Sequence, residues 1–410
     1  MIKGPFPSQL SGKYFMLEIL TTTPNETFTL PLNSSGSYNF TANWGDGTAD
    51  SIITAYNDPD ITHTFSSAGT HIISMKGICT IWRWDITAGD RAKVRRILDF
   101  TDMGFTILNF CGCVNLTFVS KNMKLLTHLT TAGSMFQSCT SLTSIPEGIF
   151  SGSTGITNCN SVFMYCPITS ISEDIFKYNI NVTTFYQAFN HCDKLTSIPA
   201  NLFKYNTKIT VLSHMLYYCT SLTSIPAHLF DTNTLVTTFE TTFAWCTNIT
   251  SIPADLFKYN TKVTTFSSTF SNIGSLTSIP EHLFDTNTKV TIFNYTFSSC
   301  YYLASIPDNL FRYNILAINF NATFNNCNKL QHKANIFWAD GERDTRFLNQ
   351  SVIFTTCFKR VGFTGLQGTS PDLWNCDFGT GTPTKTSCFA GAGNSTTSLT
   401  NYNDIPVDWK

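Results

Sequence analysis

The sequence repeats itself, and the repeat restricts the fold more than any other feature. Leu-Thr-Ser-Ile-Pro or a close variant ends at Pro146, Ser172, Pro199, Pro226, Pro253, Pro280 and Pro307, spaced by 26 residues once and by 27 thereafter. A second file keeps the same register through Cys139, Cys166, Cys192, Cys219, Cys246, Ile273, Cys300 and Cys327, and continues at longer spacing to Cys357 and Cys388. A third consists of Asn179, Asn206, Asn233, Asn260, Asn287 and Asn314. Three files sharing one period imply a stack of similar units, each covering its apolar face with the next.

Each period divides into two similar halves. Leu195-Thr-Ser-Ile198-Pro leads to Phe203 and Asn206, and Val182-Thr-Thr-Phe185 leads to Phe189 and Cys192. The four-residue apolar stretches suit short strands, while Phe185, Phe189 and Cys192, at i, i+4 and i+7, suit one inward helical turn. The expected architecture is therefore mainly β with short helical turns: a solenoid of about 27-residue coils, each running strand, turn, strand, turn. Stacked at ~4.8 Å, roughly ten coils would make a rod of about 50 Å. The Asn side chains would satisfy backbone groups left unpaired by the tight turns. Phe203, Phe230, Phe257, Phe284 and Phe311 would form one core spine, with Phe243, Phe270, Phe297 and Phe324 in the other half.

Fourteen cysteines invite a disulfide framework. Ile273 taking the place of a ladder cysteine argues instead for small buried hydrophobes with free thiols. Cys111 and Cys113 are two residues apart, and neither they nor Cys376 forms a C-x₂-C pair, so no metal site is expected. A formal net charge of −1 gives no general attraction to nucleic acid, and no run is long enough to insert into a membrane. Arg91, Lys93, Arg95 and Arg96 alternate with Ala92 and Val94 in a way that puts three of the charges on one face of a solvated edge strand. The start of the chain lacks the apolar core of a signal peptide, which leads to the expectation of cytoplasmic synthesis.

Four segments follow: residues 1–80 as a small β-sandwich, 81–130 as a cap leading into the repeat, 131–330 as the regular repeat, and 331–410 as irregular repeats closed by a C-terminal cap. Tyr38-Asn-Phe-Thr-Ala-Asn-Trp44-Gly-Asp46-Gly-Thr48, followed by His63-Thr-Phe65 and Gly69, resembles a polycystic-kidney-disease-type β-sandwich. Asp46 reads as a turn carboxylate. The repeat, with Met135-Phe-Gln-Ser-Cys139 and Thr323-Phe-Asn-Asn-Cys327, resembles the BspA-type leucine-rich repeats of bacterial surface proteins and related phage proteins. That resemblance implies a role in adhesion, and the missing export signal tips the expectation toward a phage virion component such as a fibre or decoration protein. The alternative is a bacterial cell-surface adhesin. Partners would be other virion proteins, a second copy of the chain in a homo-oligomer, or a host-cell surface protein or glycan.

Catalytic chemistry is not expected, and neither is a cofactor. The chain contains no H-E-x-x-H, G-x-S-x-G or Walker A pattern, and Gly379, Gly381, Gly391 and Gly393 lack the strand-before, helix-after context of a phosphate loop. His228 and His282 occupy equivalent exposed positions. The variable aromatic positions are the candidate binding residues: Tyr186, His214, Tyr217, Tyr218, Trp245, Tyr295, Tyr301 and Tyr302. Aromatics supply large contact area at low entropic cost. Lys177, Lys204, Lys258 and Arg312 share a position with Asp231 and Asp285, which suggests ion pairs between coils.

Overall fold

A computed structural model describes residues 12–84, 89–339, 341–362, 368–392 and 399–410. Gly393, named above, lies outside the described residues, as do the first eleven. The chain divides into two compact units, Met1–Asp193 and Lys194–Lys410. It is mainly β and turn. Among the described residues the α-helix is a single turn, Arg343–Arg346 (α1).

The first unit begins with ten strands: β1 Phe15–Thr21, β2 Glu26–Thr29, β3 Tyr38–Asn43, β4 Ser51–Ile53, β5 Thr62–Phe65, β6 Gly69–Cys79, β7 Ile81–Arg83, β8 Val94–Asp99, β9 Ile107–Asn109 and β10 Phe118–Val119. Six form one sheet in the order β10, β8, β1, β6, β3, β4; β2 pairs with β5, and β7 with β9. Alternation drives this arrangement. In β3, Tyr38, Phe40 and Ala42 are buried while Asn39 and Thr41 face solvent, the period-two pattern of a sheet with one covered face. Strands β8 and β10 carry this sheet past residue 80. In the turn after β3, Gly45 sits at φ 79°, where a Cβ would meet the Ile72 carbonyl oxygen at 2.3 Å, so only glycine fits. Asp46 accepts hydrogen bonds from the Thr48 backbone N–H (3.1 Å) and hydroxyl (2.6 Å), and its Oδ2 lies 2.7 Å from His63 Nε2. Burial pushes this carboxyl up, but the bonds from Thr48 and His63 outweigh it and hold the group at about 2. The His63 ring in turn stacks on buried Trp44, centroids 4.7 Å apart.

The basic cluster is placed differently from the sequence expectation. Asp90–Lys93 forms a 3₁₀ turn, so only Arg95 and Arg96 lie on a strand, and that strand is flanked on both sides. Lys93 instead meets Asp90 at 2.7 Å and Glu26 at 3.7 Å.

Beyond these strands the repeat takes over. Parallel bridges join equivalent residues one period apart: Thr131 to Asn158 to Thr184 in the first unit, and Val211 to Thr238 to Thr265 to Ile292 to Asn319 in the second. Each bridge is a single residue rather than the four-residue strand expected. In the Ile-Pro half, Ser278–Ser305 is the one bridge between regular coils among the described residues.

The expected helical turn after Phe185 is not a helix. Gln187 and His191 adopt φ 56° and 57°, and the equivalent residues of the other coils are likewise left-handed. A left-handed residue every fourth position breaks the helix, and the chain advances through successive i→i+3 turns: Ala188 N–H to Phe185, Asn190 to Gln187, Cys192 to Phe189. Phe189 and Cys192 still point inward, because a run of such turns mimics helical spacing.

Phenylalanines fill the core in files. In the second unit Phe203, Phe230, Phe257, Phe284 and Phe311 stack at 6.0–6.4 Å. Phe243, Phe270, Phe297 and Phe324 stack at 5.6–5.7 Å. A third file, Phe239, Phe266, Phe293 and Phe320, packs against the Phe203–Phe311 file at 4.6–5.3 Å, so the Phe203–Phe311 file lies between the other two.

The polar ladders behave as hydrogen-bond donors. Asn233, Asn260, Asn287 and Asn314 each donate Nδ2 to two buried carbonyls of the preceding coil; for Asn260 these are Phe230 (3.2 Å) and Asn233 (3.0 Å). The cysteines are all free and buried. Their thiols donate to the preceding coil as well, Cys246 to Leu216 O (3.1 Å) and Cys300 to Phe270 O (3.2 Å). A ladder not anticipated from sequence is buried Thr242, Thr269, Thr296 and Thr323, whose hydroxyls donate to the preceding coil at 3.0 Å. Arg346 ends the Asn ladder by donating to the Asn314 carbonyl at 3.0 Å.

Candidate interaction surface

The surface that varies most from coil to coil is the turn between the inward phenylalanine and the ladder cysteine. Two outer positions in each turn are left-handed. One is filled by Ser134, Ser161, Gln187, His214, Thr241, Ser268, Tyr295 and Ala322, the other by Ser138, Tyr165, His191, Tyr218, Trp245, Asn272, Ser299 and Asn326. A non-glycine residue there costs about 1–2 kcal/mol. The stack recovers this cost through the backbone. With φ positive, the N–H points along the stack axis and donates to the next coil: His214 to Glu240 O (2.8 Å), Tyr218 to Ala244 O (2.9 Å), Trp245 to Ser271 O (2.9 Å). That bond is made by the main chain whether the side chain is serine, histidine, tyrosine or tryptophan.

In the second unit four of the candidate residues come together on this face. His214 and Tyr217 lie 6.1 Å apart, Tyr217 and Tyr218 6.1 Å, and Tyr218 and Trp245 5.8 Å between ring centroids. Trp245 is 40% exposed. Burial lowers the His214 pKa and favours the neutral ring, outweighing the Glu240 carboxylate, which pulls the other way.

The remaining candidates lie elsewhere. Tyr186 belongs to the first unit and its backbone N–H donates to Asn160 Oδ1 (3.1 Å). Tyr295 is left-handed and exposed in a later coil. Tyr301 and Tyr302 follow the ladder cysteine, and the Lys329 ammonium sits 4.2 Å from the Tyr302 ring centroid.

Sequence reasoning passed over two further groups. Tyr165 and His191 stack at 4.6 Å in the first unit; each immediately precedes a ladder cysteine, the register that also marks Tyr218 and Trp245. Tyr178, Tyr205, Tyr259 and Tyr313 are exposed, each following a basic residue, with Lys204 5.8 Å and Arg312 5.5 Å from the neighbouring ring. Their signal is the recurring Lys-Tyr-Asn before the Asn ladder.

The expected ion pairs between coils run mostly within a coil. Lys177 pairs with Asp174, Lys258 with Asp255, His228 with Asp231 and His282 with Asp285, all three residues apart; Arg312 with Glu342 does connect different coils. The cysteines offer little nucleophilic chemistry, since burial pushes the thiols of Cys166, Cys246 and Cys300 up to about 12. Among the described residues no group of three or more His, Cys, Asp or Glu side chains is placed to hold a metal ion, and no helix is long and apolar enough to cross a membrane.

No family model matches the chain, and no curated protein matches it in sequence. Solved structures do. A leucine-rich cell-surface protein from Faecalibacterium prausnitzii is 19% identical, over 58% of this chain and 72% of that one, with a TM-score of 0.28. The functional domain of InlJ from Listeria monocytogenes, which includes a cysteine ladder, is 14% identical over 72% of this chain and 64% of that one, with a TM-score of 0.30. Toll from Drosophila, solved in complex with Spatzle, is 14% identical over 66% of this chain and 39% of that one, at 0.31.

Proposed function

We propose that the chain is a leucine-rich-repeat solenoid behind a polycystic-kidney-disease-type β-sandwich, and that it works without catalysis as a surface-displayed binding protein. Its partner is a protein or glycan at a cell surface, met by the face carrying His214, Tyr217, Tyr218 and Trp245. One observation carries this reading: four rings gather on one turn face, three of them (His214, Tyr218 and Trp245) at left-handed positions whose backbone N–H closes the ladder and where other coils place serine or asparagine. Clustered Tyr and Trp are the residues that anchor recognition surfaces. Display on a bacterial cell is the leading reading; a fibre or decoration protein of a phage virion would use the same face.

The test uses the full chain, fluorescently labelled, on intact bacterial cells and on epithelial cells. Tyr218→Ala combined with Trp245→Ala should weaken saturable binding at least about tenfold while the melting temperature holds. Undiminished binding removes this face from consideration. Mass spectrometry of cell envelopes beside purified virions from the same culture then assigns the surface on which the protein is displayed.

A further inference from the structure

A second site lies away from the aromatic turn face, where the repeat loses its regular spacing. Between residues 334 and 404 of the second unit a cleft of about 570 Å³ opens, within the range of small-molecule sites. Two tryptophans line it: Trp338 is buried, and half-buried Trp374 is held edge-on by Phe389 at 6.0 Å. The polar wall is already ordered. Arg343 donates from its guanidinium to Asp344 (2.8 Å) and Asp372 (2.9 Å), and Asn375 Nδ2 donates to both Asp372 oxygens at 2.9 and 3.1 Å. On the other side Asn401 is fixed by Ser370, whose N–H and hydroxyl donate to its Oδ1 at 3.1 and 2.9 Å. Asp404 adds an exposed carboxylate to the rim.

We propose that this cleft binds a short oligosaccharide of neutral or amino sugars. A tryptophan face covers the C–H side of a pyranose ring, while carboxylates and amides in fixed positions accept from and donate to its hydroxyls. Pre-ordered partners lower the cost of binding a flexible chain. Charge selects among sugars: one guanidinium against three carboxylates, Asp344, Asp372 and Asp404, leaves the wall net negative and repels uronic or sialic acids.

The experiment is tryptophan fluorescence of the full chain titrated with N-acetylglucosamine, glucose and mannose trisaccharides, and with a galacturonic acid trisaccharide, each up to about 10 mM. A saturable change with at least one of the first three and none with the last is expected. Trp374→Phe should weaken that binding about tenfold. Asp404→Ala, on an exposed side chain that leaves folding untouched, should weaken it about threefold. The Tyr218→Ala, Trp245→Ala variant should bind these sugars as the parent does, so failure of the turn-face reading and failure of this one are distinguishable. No saturable change with any neutral or amino sugar, equal binding of the acidic one, or binding indifferent to both cleft variants would overturn the assignment.

Discussion

The two halves of each coil solve one problem by different means. In the second unit the Asn half is the wider: its phenylalanines stack at 6.0–6.4 Å against 5.6–6.0 Å in the Cys half. Two of its backbone bonds are longer too, although the next one in the file, Ala304 to Thr277, is 2.9 Å. Thr223 to Thr196 and Thr277 to Thr250 measure 3.4 Å, whereas Thr264 to Thr237 and Thr291 to Thr264 measure 2.9 Å. Where coils stand apart, a side-chain amide reaches across, and asparagine recurs at every coil from Asn179 to Asn314. Where they stand close, left-handed residues turn the main-chain N–H along the axis and the backbone closes the ladder itself. A position whose main chain closes the ladder with any of several side chains can carry recognition, and His214, Tyr218 and Trp245 sit there.

That contrast can be broken at several points. Core phenylalanines serve both halves, so Phe257→Ala should cost about 4 kcal/mol by chemical denaturation, the largest effect, because its ring lies among five others including Phe239 at 4.6 Å and Phe266 at 4.7 Å. Asn260→Ala removes the side-chain amide that bridges the buried carbonyls of Phe230 and Asn233 and should cost about 3 kcal/mol. In the same half, His332 replaces the serine of earlier coils and is buried beside Phe358, its ring nitrogens without a well-formed hydrogen bond. Burial lowers its pKa to about 4. The unfolded chain therefore binds this proton more readily between pH 6.5 and 4, so stability present above 6.5 should fall by roughly 2–3 kcal/mol on acidification through that window. His332→Phe should flatten this part of the pH–stability curve.

Smaller effects fall in the Cys half. Cys246→Ala should cost only about 1 kcal/mol, because a thiol is a weak donor and Ile273 already stands in the equivalent place. A cost equal to that of Asn260→Ala would erase the distinction between the halves. Thr241→Gly, at φ 57° with a β-branched side chain, should stabilise by about 0.5 kcal/mol, the relieved strain exceeding the added backbone entropy, and should raise the melting temperature.

How far the sequence could be read follows the same division. Asn179 through Asn314 recur with one residue type, so their role as interior donors was legible from spacing and the cost of buried carbonyls alone. The Cys half was not: its left-handed positions hold Ser, Tyr, His, Thr and Trp in place of the glycine that signals positive φ, and Phe185, Phe189 and Cys192 carry helical spacing. Tyr217, Tyr218 and Trp245 stood out because they interrupt small polar residues. Tyr165 and His191 hold the same register in the first unit but precede the most regular part of the repeat. Strand β8 was obscured because Asp90–Lys93 forms a turn ahead of it, leaving Arg91 and Lys93 out of the strand alternation.

The claim that the Cys-half face serves recognition and not folding meets its most direct test in one variant carrying His214→Ser, Tyr217→Ser, Tyr218→Ser and Trp245→Ser, using the residue found at equivalent positions in other coils. Its thermal unfolding and its binding to intact cells are measured side by side with the parent. The account expects a melting temperature within about 4 °C of the parent together with lost binding. A collapse of the melting transition, or binding equal to the parent's, would contradict it.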